Sequence, residues 1–242
     1  MPLAAMRRAE VVEAVAALVR AGRPSYFITA GTHYAMLSAR EPRLRAINER
    51  AALIVADGAP LVWASRLAGT PLPERVAGSD LIFDICELSA REGFRVFLLG
   101  APPGVAERAA EHLTQRYPGL VIAGTECPPF RALTREEHDA MIARVRSVRP
   151  DFLFVAFGQP KGELWVSENF EALGVPVCVQ IGASLDFASG RMRRAPVGLQ
   201  RLGLEWFFRM CQEPRRLVPR YAGNAGFIAS RVARDLVRRR RP

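Results

Sequence analysis

An apolar run of strand length, Leu53-Ile54-Val55-Ala56, breaks off into Asp57-Gly58-Ala59-Pro60. A carboxylate at such an exit sits where a buried parallel strand turns into a helix, the edge at which open α/β sheets bind ligands. There it can take a proton from a substrate hydroxyl. It can equally cap the helix that follows, since Asp is a favoured N-cap and Pro a favoured first-turn residue. Glycines recur at the same kind of exit: Gly31, Gly58, Gly100, Gly158 and Gly182 each follow an apolar run. They either line one sheet edge with backbone that a diphosphate can approach closely, or make ordinary turns between strand and helix. No G-x-G-x-x-G or Walker A spacing occurs, so a standard dinucleotide or nucleoside triphosphate fingerprint is missing. Cys86, Cys127, Cys178 and Cys211 lack C-x-x-C spacing, and Cys86 and Cys178 lie in apolar segments where a thiol packs, so we expect neither disulfides nor a cysteine metal site. His112 and His138 fall on helices among charged residues and read as solvated.

The elements that must position these residues follow from periodicity. Apolar residues at helical spacing run from Val11 to Ala21 and stop at Gly22, a C-cap signal. Tyr26 to Thr29 forms a short strand, then a helix runs through Leu37, breaks before Pro42 and resumes through Ile47. After the Asp57 strand comes a helix closed by Gly69, a loop from Thr70 to Gly78, and a helix that Ser79 is expected to cap and Gly93 to end. Strands at Val96–Gly100, Leu120–Gly124, Phe152–Gly158 and Val177–Gly182 alternate with helices, one of them opened by a Thr134 and Glu137 capping box. The strands are continuously apolar rather than two-periodic. That predicts a Rossmann-like α/β domain: a mostly parallel sheet with helices on both faces.

With 242 residues, half of them apolar, the chain can bury a large core. It contains no 18-residue uncharged apolar run, and its first residues lack the apolar block of a signal peptide, so we expect a cytoplasmic protein. The net charge of +10 is uneven: from Arg191 onward 14 arginines face three carboxylates, a net +11, while the rest carries 20 basic against 21 acidic residues. We therefore divide the chain into an α/β domain, residues 1–198, and a basic amphipathic appendage, residues 199–242. Leu199, Leu202, Trp206, Phe207 and Met210 cluster apolar groups there beside Arg201, Arg209, Arg215, Arg216 and Arg220. That composition suits an interfacial segment on an anionic membrane; alternatively the apolar side packs on the domain and Arg238–Arg241 is a solubilising end.

Taken in order, several segments resemble the WecG/TagA/CpsF glycosyltransferases. They are Ala56-Asp57-Gly58, Leu72–Leu81, Val96–Gly100 with Pro103–Glu107, Tyr117–Leu120, Phe157-Gly158-Gln159-Pro160-Lys161, Asp186–Gly190, Arg194-Ala195-Pro196, Gly203–Trp206 and Glu213–Arg216. The resemblance runs from about Thr29 to about Phe227. It implies a metal-independent, inverting transferase without a cofactor, moving an N-acetylmannosamine-type sugar, its uronic acid or glucose from a UDP-sugar to a polyprenyl-diphosphate-linked acceptor. The setting is cell-surface polysaccharide synthesis at the inner face of the plasma membrane. It further implies Asp57 as the base, Arg75 near the leaving diphosphate, Thr29 in the pocket, Asp186 in the nucleotide-binding part, and a C-terminal segment with Arg215, Arg216 and Arg220 that docks on the membrane and closes the site. Gly100, Gly158, Pro160 and Gly182 join them as substrate-binding candidates.

The chemistry agrees with that assignment. Inverting transfer needs one carboxylate within reach of the nucleophilic hydroxyl, and positive charge for the departing UDP when no metal supplies it. An arginine fork engages phosphate bidentately, which suits Arg75; an arginine on a loop can also be plain surface. Two positions depart from the family pattern: Gly31 stands where Asn is usual, and Gly162-Glu163 where Gln-Glu usually follows Pro-Lys. His33 is either a replacement donor beside the first departure or a helix-start histidine. These departures and the basic end motivate a second reading, a catalytically degenerate nucleotide-sugar or nucleic-acid binding module. Nucleic acid is the weaker partner, because RNA readers interleave aromatics with basic residues on an open sheet face and these strands read as buried. A homo-oligomer is left open.

Overall fold

The computed structural model describes residues 1–239. In chain order, α1 (Arg8–Ala21) precedes β1 (Ser25–Ala30), and α2 (Thr32–Arg40) and α3 (Pro42–Arg50) lead to β2 (Leu53–Ala56). Next come α4 (Ala59–Leu67), α5 (Gly78–Glu92), β3 (Arg95–Gly100), α6 (Val105–Arg116), β4 (Val121–Glu126), α7 (Arg135–Ser147), β5 (Phe152–Ala156), α8 (Lys161–Leu173) and β6 (Val177–Gln180). Helices α9 (Ser184–Ala188), α10 (Val197–Arg201), α11 (Glu205–Gln212) and α12 (Pro214–Arg239) complete the described chain.

The six strands pair in parallel throughout, in the order β2-β1-β6-β5-β3-β4. Except in the partly exposed edge strand β4, their continuous apolarity has a simple cause: alternate residues serve two cores. Phe27, Val55, Leu98, Phe152, Phe154, Val177 and Val179 pack with α1, α5 and α6 on one face. Tyr26, Ile28, Ile54, Leu153, Val155 and Cys178 pack with α7 and α8 on the other. This is the Rossmann-like arrangement that the pattern predicts, with every strand parallel rather than most of them.

Local signals end the helices as expected in several places. Gly22 and Gly93 adopt the left-handed conformation at the ends of α1 and α5, with φ of 65° and 74°. Pro42 opens α3. Thr134 and Glu137 form a reciprocal capping box on α7, the Glu137 amide donating to Thr134 Oγ1 at 3.2 Å.

Ser79 does not cap α5: the helix begins at Gly78, its N-cap position is Ala77, two residues before Ser79, and no side chain of that segment caps it. The carboxylate of Asp57 reaches across from the end of β2 instead and accepts from the Gly78 amide at 3.2 Å.

The C-terminal helices lie against the α/β layers. Leu217 is buried, and Ile228 packs on a small cluster of Ala56, Leu61, Val62 and Leu72 at the carboxyl end of β2. The apolar side of α12 is thus used, at least there, to cover the domain.

Candidate active site

The carboxyl edge of the sheet opens into a cavity of about 920 Å³, walled on its far side by α11 and α12. Of the residues the sequence singles out, Thr29, Asp57, Arg75, Gly158, Gly182, Asp186 and Arg220 line it. Gly100, Pro160 and Arg215 do not line it, and the side chain of Arg216 lies outside what the structure describes. Gly100 has a packing reason to be glycine: its φ is +99°, and a Cβ there would come within 2.8 Å of the Phe157 ring.

Asp57 leaves β2 beside β1, where its amide donates to the Ala30 carbonyl at 2.9 Å. Its carboxylate does not cap α4, whose N-cap is Gly58 without a side-chain bond. It points to the start of α5, and Gly78 is what admits it. A Cβ on Gly78 would stand 3.3 Å from Thr29 Oγ1 and 3.6 Å from Asp57 Oδ2. Desolvation in the cavity pushes the Asp57 carboxyl above the usual carboxylate range, opposed by Arg75, the Gly78 N–H and Arg209, and reinforced by Glu205. A carboxylate tuned upward, half-buried and fixed by one helix-end N–H can accept a proton from an alcohol.

Arg75 is less free than a loop arginine. It pairs with Glu205 at 2.9 Å and Asp80 at 3.3 Å, and Arg194 pairs with the same two carboxylates at 3.1 and 2.6 Å. Burial alone would raise the Glu205 carboxyl, but its bonds to Arg194 and Arg75 outweigh that and hold it below its ordinary value. The quartet ties α11 to the start of α5 and keeps the Arg75 fork at the cavity wall. Asp186, on α9, pairs with Arg191 at 2.9 Å.

Gln180 escapes the sequence reading, Arg209 and Glu163 stand in the cavity without having been assigned to it, and His33 stands where a replacement donor would. Arg209 on α11 lies over the Phe187 ring, 5.6 Å from its centroid, and its buried Nε has no hydrogen-bond partner among the described residues. Glu163 in the first turn of α8 is buried, accepts from Gln159 Nε2 at 2.8 Å, and leaves Oε2 without a partner among the described residues. Burial raises its carboxyl to about 7. Gln180 closes β6; a lone polar residue inside Val177-Cys178-Val179-Gln180-Ile181 was a readable signal. His33 lines the cavity too, its Nδ1 3.4 Å from Asn224 Oδ1 on α12. Burial first, then Arg220, holds His33 below its ordinary range, so it faces the cavity as a neutral ring near neutral pH.

Among the described residues no group of three or more His, Cys, Asp or Glu side chains is placed to hold a metal ion, and no helix is long and apolar enough to cross a membrane. The cavity joins one poised carboxylate with several arginines, which is the equipment for moving a proton from a hydroxyl while binding an anion.

Comparison with known proteins points the same way. A protein of Bacillus spizizenii named N-acetylglucosaminyldiphosphoundecaprenol N-acetyl-beta-D-mannosaminyltransferase is 32% identical over 192 residues, covering 79% of this chain and 73% of that protein. A protein of the same name from Staphylococcus aureus (strain MW2) is 32% identical over 174 residues, covering 72% of this chain and 66% of that one. Residues 1–242 match the model of the glycosyl transferase WecG/TagA/CpsF family. The motifs, the parallel sheet with its poised Asp57, and these matches together make the chain a member of the WecG/TagA/CpsF glycosyl transferase family.

Proposed function

We propose that this protein transfers an N-acetylmannosamine-type sugar from a UDP-sugar to an amino sugar carried on a polyprenyl diphosphate, with inversion and without a metal ion. The observation that carries the reading is the Asp57 carboxylate, held at the cavity floor by the Gly78 N–H and facing the arginines of α11 and α12. Asp57 takes the proton of the acceptor hydroxyl, the freed oxygen attacks the anomeric carbon from the side opposite the nucleotide, and the bond to UDP breaks as the new glycosidic bond forms. UDP departs with the electron pair of that bond. Arg209, whose Nε has no partner among the described residues, and Arg220 stand in the wall where that charge develops, and Arg75 is held there by Glu205 and Asp80.

Those same groups favour transfer over a non-catalytic binding module, which needs no poised base. The lipid-linked acceptor places the reaction at a membrane surface, and we assign docking to the face where Leu202 (66% exposed), Phe207 (46%) and Val218 (47%) remain uncovered. Gly203 lies against Ala59 and Trp63, which brings exposed Trp63 and Leu67 of α4 to the same end of the molecule. Arginines beside such a face gain roughly 1 kcal/mol each near an anionic leaflet, which supports a location on the inner face of the plasma membrane.

A panel of UDP-sugars offered with a lipid-diphosphate-linked amino sugar, scored for UDP release, tests the reading. Asp57→Asn keeps the acceptor atom for Gly78 but removes basicity, so turnover is expected to fall by roughly two to four orders of magnitude. Unchanged turnover in that variant rejects Asp57 as the base. In the unaltered enzyme the acid limb of the pH profile should lie above the ordinary carboxylate range, because the desolvated Asp57 must be ionised to act.

A further inference from the structure

Gln180 stands at the carboxyl end of β6, which lies between β1 and β5 in the sheet, and only 5% of its surface is exposed. Alternation along β6 gives Val177 and Val179 to the α1/α5 side and Cys178 to the α8 side. Gln180 shares the side of Cys178 and so meets the first turn of α8, where Gly162 stands. A Cβ built on Gly162 would overlap the Gln180 carboxamide outright. Two side chains cannot both be there: the carboxamide of Gln180 fills the volume that a side chain at 162 would need.

A buried amide costs free energy unless it is bonded. Oriented to satisfy both ends, Gln180 Nε2 donates to the Val155 carbonyl at 2.5 Å and Oε1 accepts from the Gly158 amide at 3.0 Å. An amide carries two N–H donors and two acceptor sites, so one of each remains. The adjoining residue on α8, Glu163, also lines the cavity and has a buried oxygen without a partner among the described residues.

The position is close to the chemistry. Thr29 Oγ1 donates to the Gln180 carbonyl at 3.3 Å, and Thr29, Gln180 and Asp57 line the same cavity. The base and Gln180 therefore face one cavity.

We propose that Gln180, admitted by Gly162 and flanked by Glu163, is the specificity-determining residue that reads an uncharged hydroxyl or acetamido group of the transferred sugar. The proposal rests on the transfer reading above. A carboxamide both donates and accepts, as does an acetamido or hydroxyl group, and the same burial that favours the neutral form of Glu163 disfavours an anionic substituent on the sugar. The uridine diphosphate is bound elsewhere, by the arginine wall.

The test is a double-substitution cycle on the full chain, using Gly162→Gln, Gln180→Gly and both together, with UDP and UDP-N-acetylmannosamine as probes. Melting temperature, Kd for each probe, and KM against kcat for UDP release are measured. Gln180→Gly is expected to weaken UDP-N-acetylmannosamine by roughly tenfold while leaving UDP nearly unchanged. Gly162→Gln alone is expected to lose both stability and donor binding through the overlap. The double variant should regain most of both, because a glutamine at 162 then enters the vacated volume and returns a carboxamide to it. Gln180→Met, which keeps the volume and lacks the amide, serves if Gln180→Gly does not fold.

Equal weakening of UDP and UDP-N-acetylmannosamine, or additive losses in the double variant, would overturn the assignment. So would undiminished donor affinity in Gln180→Met. Failure of the unaltered protein to release UDP from any UDP-sugar would instead overturn the transfer itself, and this assignment with it.

Discussion

Two carboxylates in one cavity are tuned upward for different ends. Asp57 is opposed by arginines and a helix-end N–H, so it can ionise and work as a base. Glu163 is held mainly by burial, which raises it from an ordinary value near 4.5 to about 7. Between those values the folded protein binds a proton there that the unfolded chain does not. Its neutral form is therefore tolerated fully below about pH 4.5, and stability declines as the pH rises through 7. Glu163→Gln keeps an acceptor for Gln159 and removes the ionisation. Relative to the unaltered protein, this variant should gain up to roughly 3 kcal/mol between pH 5 and 8, measured by denaturant unfolding at each pH. A parallel pH dependence in both proteins would show that the carboxyl is not shielded as its burial implies.

At the scale of elements, the site is made by ends meeting. The end of β2 supplies Asp57, the start of α5 supplies its hydrogen bond, and Glu205 at the start of α11 holds Arg75 in the wall. α7 is different: its Thr134 and Glu137 box is exposed, and neither residue lines the cavity. Thr134→Ala should therefore cost about 1 kcal/mol, seen as a drop of a few degrees in Tm, with UDP release at 25 °C unaltered. A fall in activity at that temperature would show that α7 is coupled to the site.

For the whole molecule, the C-terminal helices have two duties that truncation can separate. Trp206, Arg209, Leu217, Arg220, Tyr221 and Asn224 wall the cavity, so these helices are part of the site and not only an attachment. Ending the chain before Leu199 should abolish transfer even to a water-soluble acceptor analogue, besides weakening sedimentation with anionic vesicles. A pure anchor would lose only the lipid-linked reaction. Equal sedimentation of full-length and shortened protein would count against docking through this face.

Local pattern was enough for the architecture. Strands that are mostly continuously apolar, spaced by helical periodicity, leave a parallel sheet covered on both faces as the arrangement that buries them. It was enough, too, to put Asp57 at a ligand-binding edge, because a carboxylate that ends an apolar strand cannot stay in the core. What local pattern did not hold was which groups meet across the chain. Asp57 bonds to Gly78 rather than capping α4, Arg75 is claimed by Glu205, 130 residues away, and the carboxamide beside Gly162 comes from Gln180 on another strand. Each of these is a contact between distant segments. Periodicity reports which face of its own element a side chain takes, and only the packed structure decides what stands opposite.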